Sequence, residues 1–325
     1  MSAAARVGPH WHDERRKQLL ATHPEVRKLI GHDSKTAVWV FALVALQLAL
    51  AWQVSMAPWW VSLLMAYFVG AFIAHALGVL VHDAAHDLIF EGAVANRVIA
   101  MVANLPLLFP AAMDFRDKHL KHHAHLGEPD GADTQAPQTW DFKFVTNGFK
   151  RAVWHQMGPI LTHSDAPTSR PSKWIIGNVV VSVVFSGLFF WAFGFKGMLF
   201  LGISGLMAFG HHPVGVRRYG EHLTLKDGQP TTSYYGPLNA LSFNVGYHVE
   251  HHDLPSVPWS RVRKLHAMAP ELYKNLGFVQ SWTALLVQLT FKNGEGPDKY
   301  WLERKPTGVA DKPAVAQSQQ TQSTA

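Results

Sequence analysis

Residues 59–86 read WWVSLLMAYFVGAFIAHALGVLVHDAAH, from Trp59 to His86. Between Trp59 and Val81 there is no charged residue, and the one histidine is His75. At a rise of ~1.5 Å per residue, a helix of this length covers a hydrocarbon core of about 30 Å. The stretch then ends on His82-Asp83-Ala84-Ala85-His86, a pair of imidazoles four residues apart and therefore on one helical face. The sequence thus predicts a membrane helix that delivers two metal-binding side chains to its end.

Working outward, the run before it, 37–54, is uncharged, with Gln47 and Gln53 as its strongly polar residues. Joined through Ser55–Pro58, the two runs read as a transmembrane hairpin with Trp59 and Trp60 at the interface. Residues 93–113 are apolar but broken by Arg97, Asn104, Pro106 and Pro110, which suits an interfacial or re-entrant segment. After a polar stretch, two further runs, 174–193 and 197–212, are separated only by Gly194–Lys196. The expected fold is an all-α integral membrane protein with four transmembrane helices, residues 1–305 forming a single domain. The stretch 278–291 reads as a short surface-lying helix. From 306 to 325 the Ala/Gln/Ser/Thr/Pro composition reads as a disordered tail.

Charge placement orients this hairpin pair. Of 29 Lys and Arg, seven precede Ala37, eight lie in 114–173 and twelve follow His212. Four spans put all three basic regions on one face, which the positive-inside rule makes cytosolic, with both termini. The net charge of +6 is therefore a topology signal, and nucleic acid is not an expected partner. The first 36 residues hold no apolar core of a signal peptide. With no cysteine, thiolate chemistry is excluded and any metal must sit on nitrogen or oxygen.

The chain has 20 histidines, and three clusters stand out: His82/His86, His119/His122/His123 and His248/His251/His252. An HxxHH pattern arises by chance about 0.1 times in so His-rich a chain, and here there are two. All eight imidazoles lie at or beyond the same membrane face. Softness allows zinc, iron, copper or nickel, but one site takes only three or four protein ligands, so eight imply two ions. Isolated histidines (His10, His23, His32, His155, His163, His266) read as capped or solvated, and His125 as a neighbour of the site. His75, buried mid-span, reads equally as a bond to another helix or as a functional group.

These HxxxH, HxxHH and HxxHH boxes resemble those of the membrane fatty-acid desaturase and hydroxylase superfamily. A narrower similarity joins Ser233-Tyr-Tyr-Gly-Pro-Leu-Asn239 to Asn244-Val-Gly-Tyr-His-Val-Glu-His-His-Asp253 and Pro255. That block looks like the sphingolipid Δ4-desaturases (dihydroceramide desaturases), as do His12–Arg16, His23-Pro-Glu25, Ala103–Pro106, His212-Pro213 and Ala269-Pro-Glu271. The similarity runs over roughly residues 10 to 290 in one order. It implies a four-helix membrane fold under a cytosolic helical cap and a centre of two iron ions (Fe2+). It further implies O2 as oxidant, electrons from cytochrome b5 or a similar external donor, and a dihydroceramide-type lipid as substrate. By that resemblance the eight box histidines are ligands and His222 is a ninth. The chain departs from the pattern at Asp83, usually Glu, at an insertion around Glu128-Pro129, at Gln135 for an acidic residue, and at Arg217 for a histidine.

The reaction expected is removal of hydrogen from adjacent methylenes, with the lipid's anchoring point choosing the carbon. Arg217, Arg218 or Tyr234 would clamp the headgroup, and changes at Gln135 and Arg217 would bear on that contact. Rival readings are a sphingolipid C4-hydroxylase, an acyl-lipid desaturase and a metal transporter. The last places ligands near the bilayer midplane, whereas these gather at one face. A bacterial inner membrane and an endoplasmic reticulum fit equally well.

Overall fold

A computed structural model describes residues 11–128, 133–135, 139–161, 171–223, 225–226 and 228–291. The tail from 306, His10 and His163 lie outside the described residues. Among the described residues, three helices are long and apolar enough to cross a membrane: α2 (Thr36–Ser55), α3 (Trp59–Ala85) and α7 (Lys173–Ala208), with α1 (Trp11–Thr22) preceding them. The longest is two arms, because Gly194 has non-helical angles (φ 66°, ψ −168°) that only glycine adopts freely. The described residues thus hold three to four candidate membrane helices, the longest of them broken at Gly194. Lys196 donates to the Ala57 carbonyl at 2.8 Å, so both short connections lie at the same end. The histidine-bearing end of α3 is opposite.

Two boundaries differ from the sequence expectation. Helix α3 runs four residues past Val81, through the first box to Ala85. Its last carbonyls are not left bare: Arg116 Nη1 donates to Ala84 O (3.0 Å) and Ala85 O (2.6 Å), and the same guanidinium pairs with Asp87. The final arm ends at Ala208 rather than His212. The chain beyond it turns tightly, with a Cβ at Gly215 only 2.4 Å from the Gly210 carbonyl, and Pro213 has no N–H for another helical turn.

Large apolar side chains face outward along these helices, Trp191 at 85% exposure and Val183 at 64%, as a lipid-facing surface requires. Inward faces use small residues. A Cβ at Gly70 would lie 2.1 Å from Ser204 Oγ and 2.9 Å from Phe200 Cζ. Gly70 also ends a π turn (Ala66–Gly70), and Gln47 Nε2 donates to its carbonyl at 3.3 Å. We expect Gly70→Val to destabilise the protein by about 1–3 kcal/mol through overpacking of α3 against α7. Thermal unfolding in detergent measures this; an unshifted midpoint would mean that the contact is dispensable.

The interrupted segment forms α4 (Ala93–Asn104) and α5 (Ala112–His125), which meet at 117°. Its polar interruptions are satisfied internally. Asn104 Oδ1 accepts from Ala112 N (3.0 Å), Asn178 Oδ1 accepts from Met113 N (3.2 Å), and Arg97 lies over the Trp174 ring. This bend, with Arg116 clamped to the end of α3, sets α5 beside the first box. Beyond it, α6 (Gly148–Leu161) precedes α7.

The third box forms α8 (His248–Asp253), followed by α9 (Trp259–Met268). The block Ser233–Asn239 is its support: Ser233 Oγ accepts from Val249 N (2.9 Å) and donates to buried Glu250 (2.8 Å). Asn239 brackets Gly246, where a Cβ would meet Asn239 Oδ1 and Tyr234 O at 2.5 Å. The expected terminal helix is α10 (Trp282–Phe291), shorter than 278–291 because Phe278–Val279 pairs in parallel with Ser233–Tyr234. It buries Trp282, Leu285 and Leu289 and leaves Val287 and Phe291 exposed.

Candidate metal centre

Three helices bring the boxes together. Helix α3 carries His82 and is capped by His86, α5 carries His119, His122 and His123, and α8 carries His248, His251 and His252. Ligand-capable atoms of His82, His86, His119, His123 and His251 all lie within 4.8 Å of one another. A second group, His122, His222 and His252, meets the same limit, and His248 Nε2 is 3.3 Å from His222 Nε2. All nine histidines singled out in the sequence thus converge. The groups adjoin, with the His123 and His252 rings stacked at 4.1 Å.

Chemistry of the donor set tests whether a cation fits. Nε2 atoms face one another at 3.0 Å (His86, His119), 3.1 Å (His119, His123) and 3.1 Å (His123, His251). Burial draws the His222 imidazole down to about 3 and holds His248, His251 and His252 well below their ordinary value, so they are neutral. Several spend Nδ1 on an outer partner, which leaves the lone pair on Nε2. His122 Nδ1 lies 2.7 Å from Asp133 Oδ1, His119 Nδ1 is 2.9 Å from Gln135 Oε1, and His248 Nδ1 is 3.4 Å from Glu221 Oε1. His122 Nε2 and His252 Nε2 are buried with no hydrogen-bond partner among the described residues. Converging, desolvated lone pairs without donors are the complement of a metal ion.

The outer partners were the residues sequence reading missed. Asp133 also accepts from Gly127 N (2.8 Å), which fastens the loop after the second box. Gln135, expected to bear on the headgroup, contacts His119 instead. His12 Nδ1 bonds Asp253 (2.7 Å), Arg15 pairs with the same carboxylate, and the His12 ring lies 5.1 Å from that of His252. Acidic residues next to a histidine box were the available signal. Asp133→Asn is expected to lower metal affinity about 10–100-fold, measured as metal retained after dialysis against a chelator; full retention would show the carboxylate to be idle.

Two isolated histidines depart from the solvated reading. His155 is buried between Trp154 and Tyr219, and His266 Nδ1 lies 2.5 Å from buried Glu250. His23 is capped by Glu25 and Glu271 as expected, and His125, read as a neighbour of the site, is exposed and bonds Glu128 at 2.8 Å. His75 bonds Arg217 Nε at 3.0 Å, and Arg217 also pairs with Glu221. The other headgroup candidates make inward contacts as well, Arg218 with Tyr219 and Tyr234 stacked on Trp282 at 4.1 Å.

An end-on gathering of histidines at one end of a helical membrane bundle defines a class, and comparison with known proteins supplies it. The fatty acid desaturase family model matches residues 57–283, and the Sphingolipid Delta4-desaturase (DES) model matches residues 9–35. The chain is 33% identical over 311 residues to the sphingolipid delta(4)-desaturase/C4-monooxygenase DES2 of Rattus norvegicus, covering 91% of this chain and 95% of that one. It is 33% identical over 304 residues to the sphingolipid delta(4)-desaturase DES1 of Drosophila melanogaster, covering 92% and 94%. A DES1-like relative from Oryza sativa subsp. japonica shares 33% over 293 residues, 88% of each chain. The protein belongs to the fatty acid desaturase family, in its sphingolipid Δ4-desaturase branch.

Proposed function

We propose that the protein is a membrane oxidoreductase that introduces the Δ4 double bond into the sphingoid base of a dihydroceramide. The observation that carries this is the convergence of all three boxes and His222 into two adjoining groups of neutral imidazoles. Relatives named as sphingolipid desaturases over almost their whole length support the choice of lipid. In this reading His82, His86, His119, His123 and His251 hold one iron, and His122, His222, His248 and His252 the other. The two bound irons supply the redox chemistry with O2 that removes hydrogen from unactivated methylenes.

Overall, the alkane segment, O2, two electrons and two protons give the alkene and two waters. An external donor such as cytochrome b5 supplies the electrons at the cytosolic face, where the extramembrane helices form a cap. The chain's own contribution is placement. Asp133, Gln135 and Glu221 fix imidazole orientation, Arg116 locks α5 to α3, and the Ser233–Asn239 block fixes α8. Because their contacts run inward, Arg217, Arg218 and Tyr234 serve the headgroup in this proposal by holding the wall beneath it.

C4-hydroxylation is the second reading, favoured by the double name of the rat relative. A host lacking ceramide desaturation, fed saturated dihydroceramide, separates the outcomes by lipid mass spectrometry. Loss of two hydrogens marks the desaturase and gain of one oxygen the hydroxylase. Unchanged lipid in an O2-replete, iron-replete host with a competent donor would overturn both.

A further inference from the structure

A cavity opens beside the metal groups, with His82, His248 and His251 on its wall. Val79, Val257 and Val262 supply the apolar part of its lining. Two polar side chains interrupt that lining, Asp83 of α3 and Asn244 of the loop before α8. Both are tied to one residue: Asp83 Oδ2 accepts from Trp259 N (3.1 Å), and Asn244 Nδ2 donates to Trp259 O (3.3 Å). The Trp259 backbone thus sets a carboxylate and a carboxamide side by side. Trp259 itself spends its indole N–H on Thr36 Oγ1 (2.9 Å).

Each of the two has hydrogen-bonding capacity left. Asp83 is 3% exposed, and its Oδ1 lies 3.9 Å from His82 Nδ1, beyond hydrogen-bond reach. A buried carboxyl with only one oxygen bonded keeps a second oxygen free for a hydrogen bond. Asn244, after its one bond, has a carbonyl oxygen and a second N–H to offer. It sits at φ 54°, after Phe243 at φ 47°; Asn is among the few side chains that tolerate this region.

The substrate's chemistry makes such a pair necessary. In a sphingoid base the reacting C4 is one bond from the C3 hydroxyl and two from the C2 amide. A lipid placed for Δ4 chemistry therefore brings both polar groups beside this same lining. An apolar wall alone would leave them without partners, which binding penalises heavily. We propose that Asp83 accepts a hydrogen bond from the C3 hydroxyl and that Asn244 pairs with the C2 amide, so that together they set C4 and C5 at the metal groups. This rests on the Δ4-desaturase reading and adds the substrate features that fix its position.

The test crosses variants with lipid analogues in purified, iron-loaded protein in lipid nanodiscs, supplied with a donor. Dihydroceramide and 3-deoxydihydroceramide are compared by kcat/KM and by competition binding. Wild type is expected to favour the hydroxylated lipid about 10–100-fold, and Asp83→Ala to bring that preference within about two-fold. Full preference retained in a metal-loaded Asp83→Ala would overturn the proposal. Should that variant not load metal, Asn244→Ala carries the same comparison between the amide and its 2-O-acyl ester analogue. Loss of discrimination supports the pairing, and unchanged discrimination overturns it. If wild type converts neither lipid, the Δ4 reading fails; if it converts dihydroceramide and the 3-deoxy analogue equally, only this proposal does.

Discussion

Replacing His252 by alanine is expected to remove one of the two metals and to cut lipid turnover by more than about a hundred-fold. The ring is buried, its Nε2 has no hydrogen-bond partner among the described residues, and that atom belongs to the smaller imidazole group with His122 and His222. A group of so few members has no spare ligand. The adjoining group feels the loss as well, since the His252 ring stacks on His123 at 4.1 Å. Elemental analysis of the purified variant and mass spectrometry of its lipid products give the two readouts. His125→Ala is the control: it is exposed, bonded to Glu128 and outside both groups, so it should stay within about two-fold of wild type. Two metals and full turnover in the His252 variant would remove that residue from the centre.

Glu221→Ala should be the most damaging change outside the imidazoles, destabilising the fold by about 3 kcal/mol or more. Glu221 is the only carboxylate among the ion-pair partners found for Arg217 in the described residues, and its Oε1 also lies 3.4 Å from His248 Nδ1. Arg217 reaches on to His75 inside α3. Removing the carboxylate strands a largely buried guanidinium and frees a metal-group imidazole to rotate. Thermal unfolding in detergent should shift down by several degrees. The double variant Arg217→Ala/Glu221→Ala should recover part of the loss, because the uncompensated charge is then gone. An additive double variant would mean that the two residues act separately.

Periodic or repeated signals were legible in the sequence. Uncharged runs gave the hairpins, box spacing gave the convergence of eight histidines, and His222 entered only through the family resemblance. Ends of elements were not legible where a distant residue decides them. Helix α3 continues past Val81 because Arg116, more than thirty positions on, satisfies its terminal carbonyls. Orientation partners were equally hidden. Asp133 and Gln135 lie in an aperiodic loop, where nothing local separates a buried carboxylate from a solvated one. His266 looked solvated because its partner Glu250 is itself inside a box, and a histidine read alone does not disclose a buried carboxylate. The Ser233–Asn239 block was conspicuous as a motif, yet only the fold shows that its work is to brace α8.

Helix α8 serves both groups, His251 in the larger and His252, with His248, in the smaller. During synthesis, therefore, neither group can close until residue 252 has left the ribosome, long after both hydrophobic hairpins are available for insertion. Under the two-iron proposal, metal arrives as a latch on helices already seated in the bilayer, not as the template that assembles them. A chain cut short before His251 would insert normally and still never hold its ions.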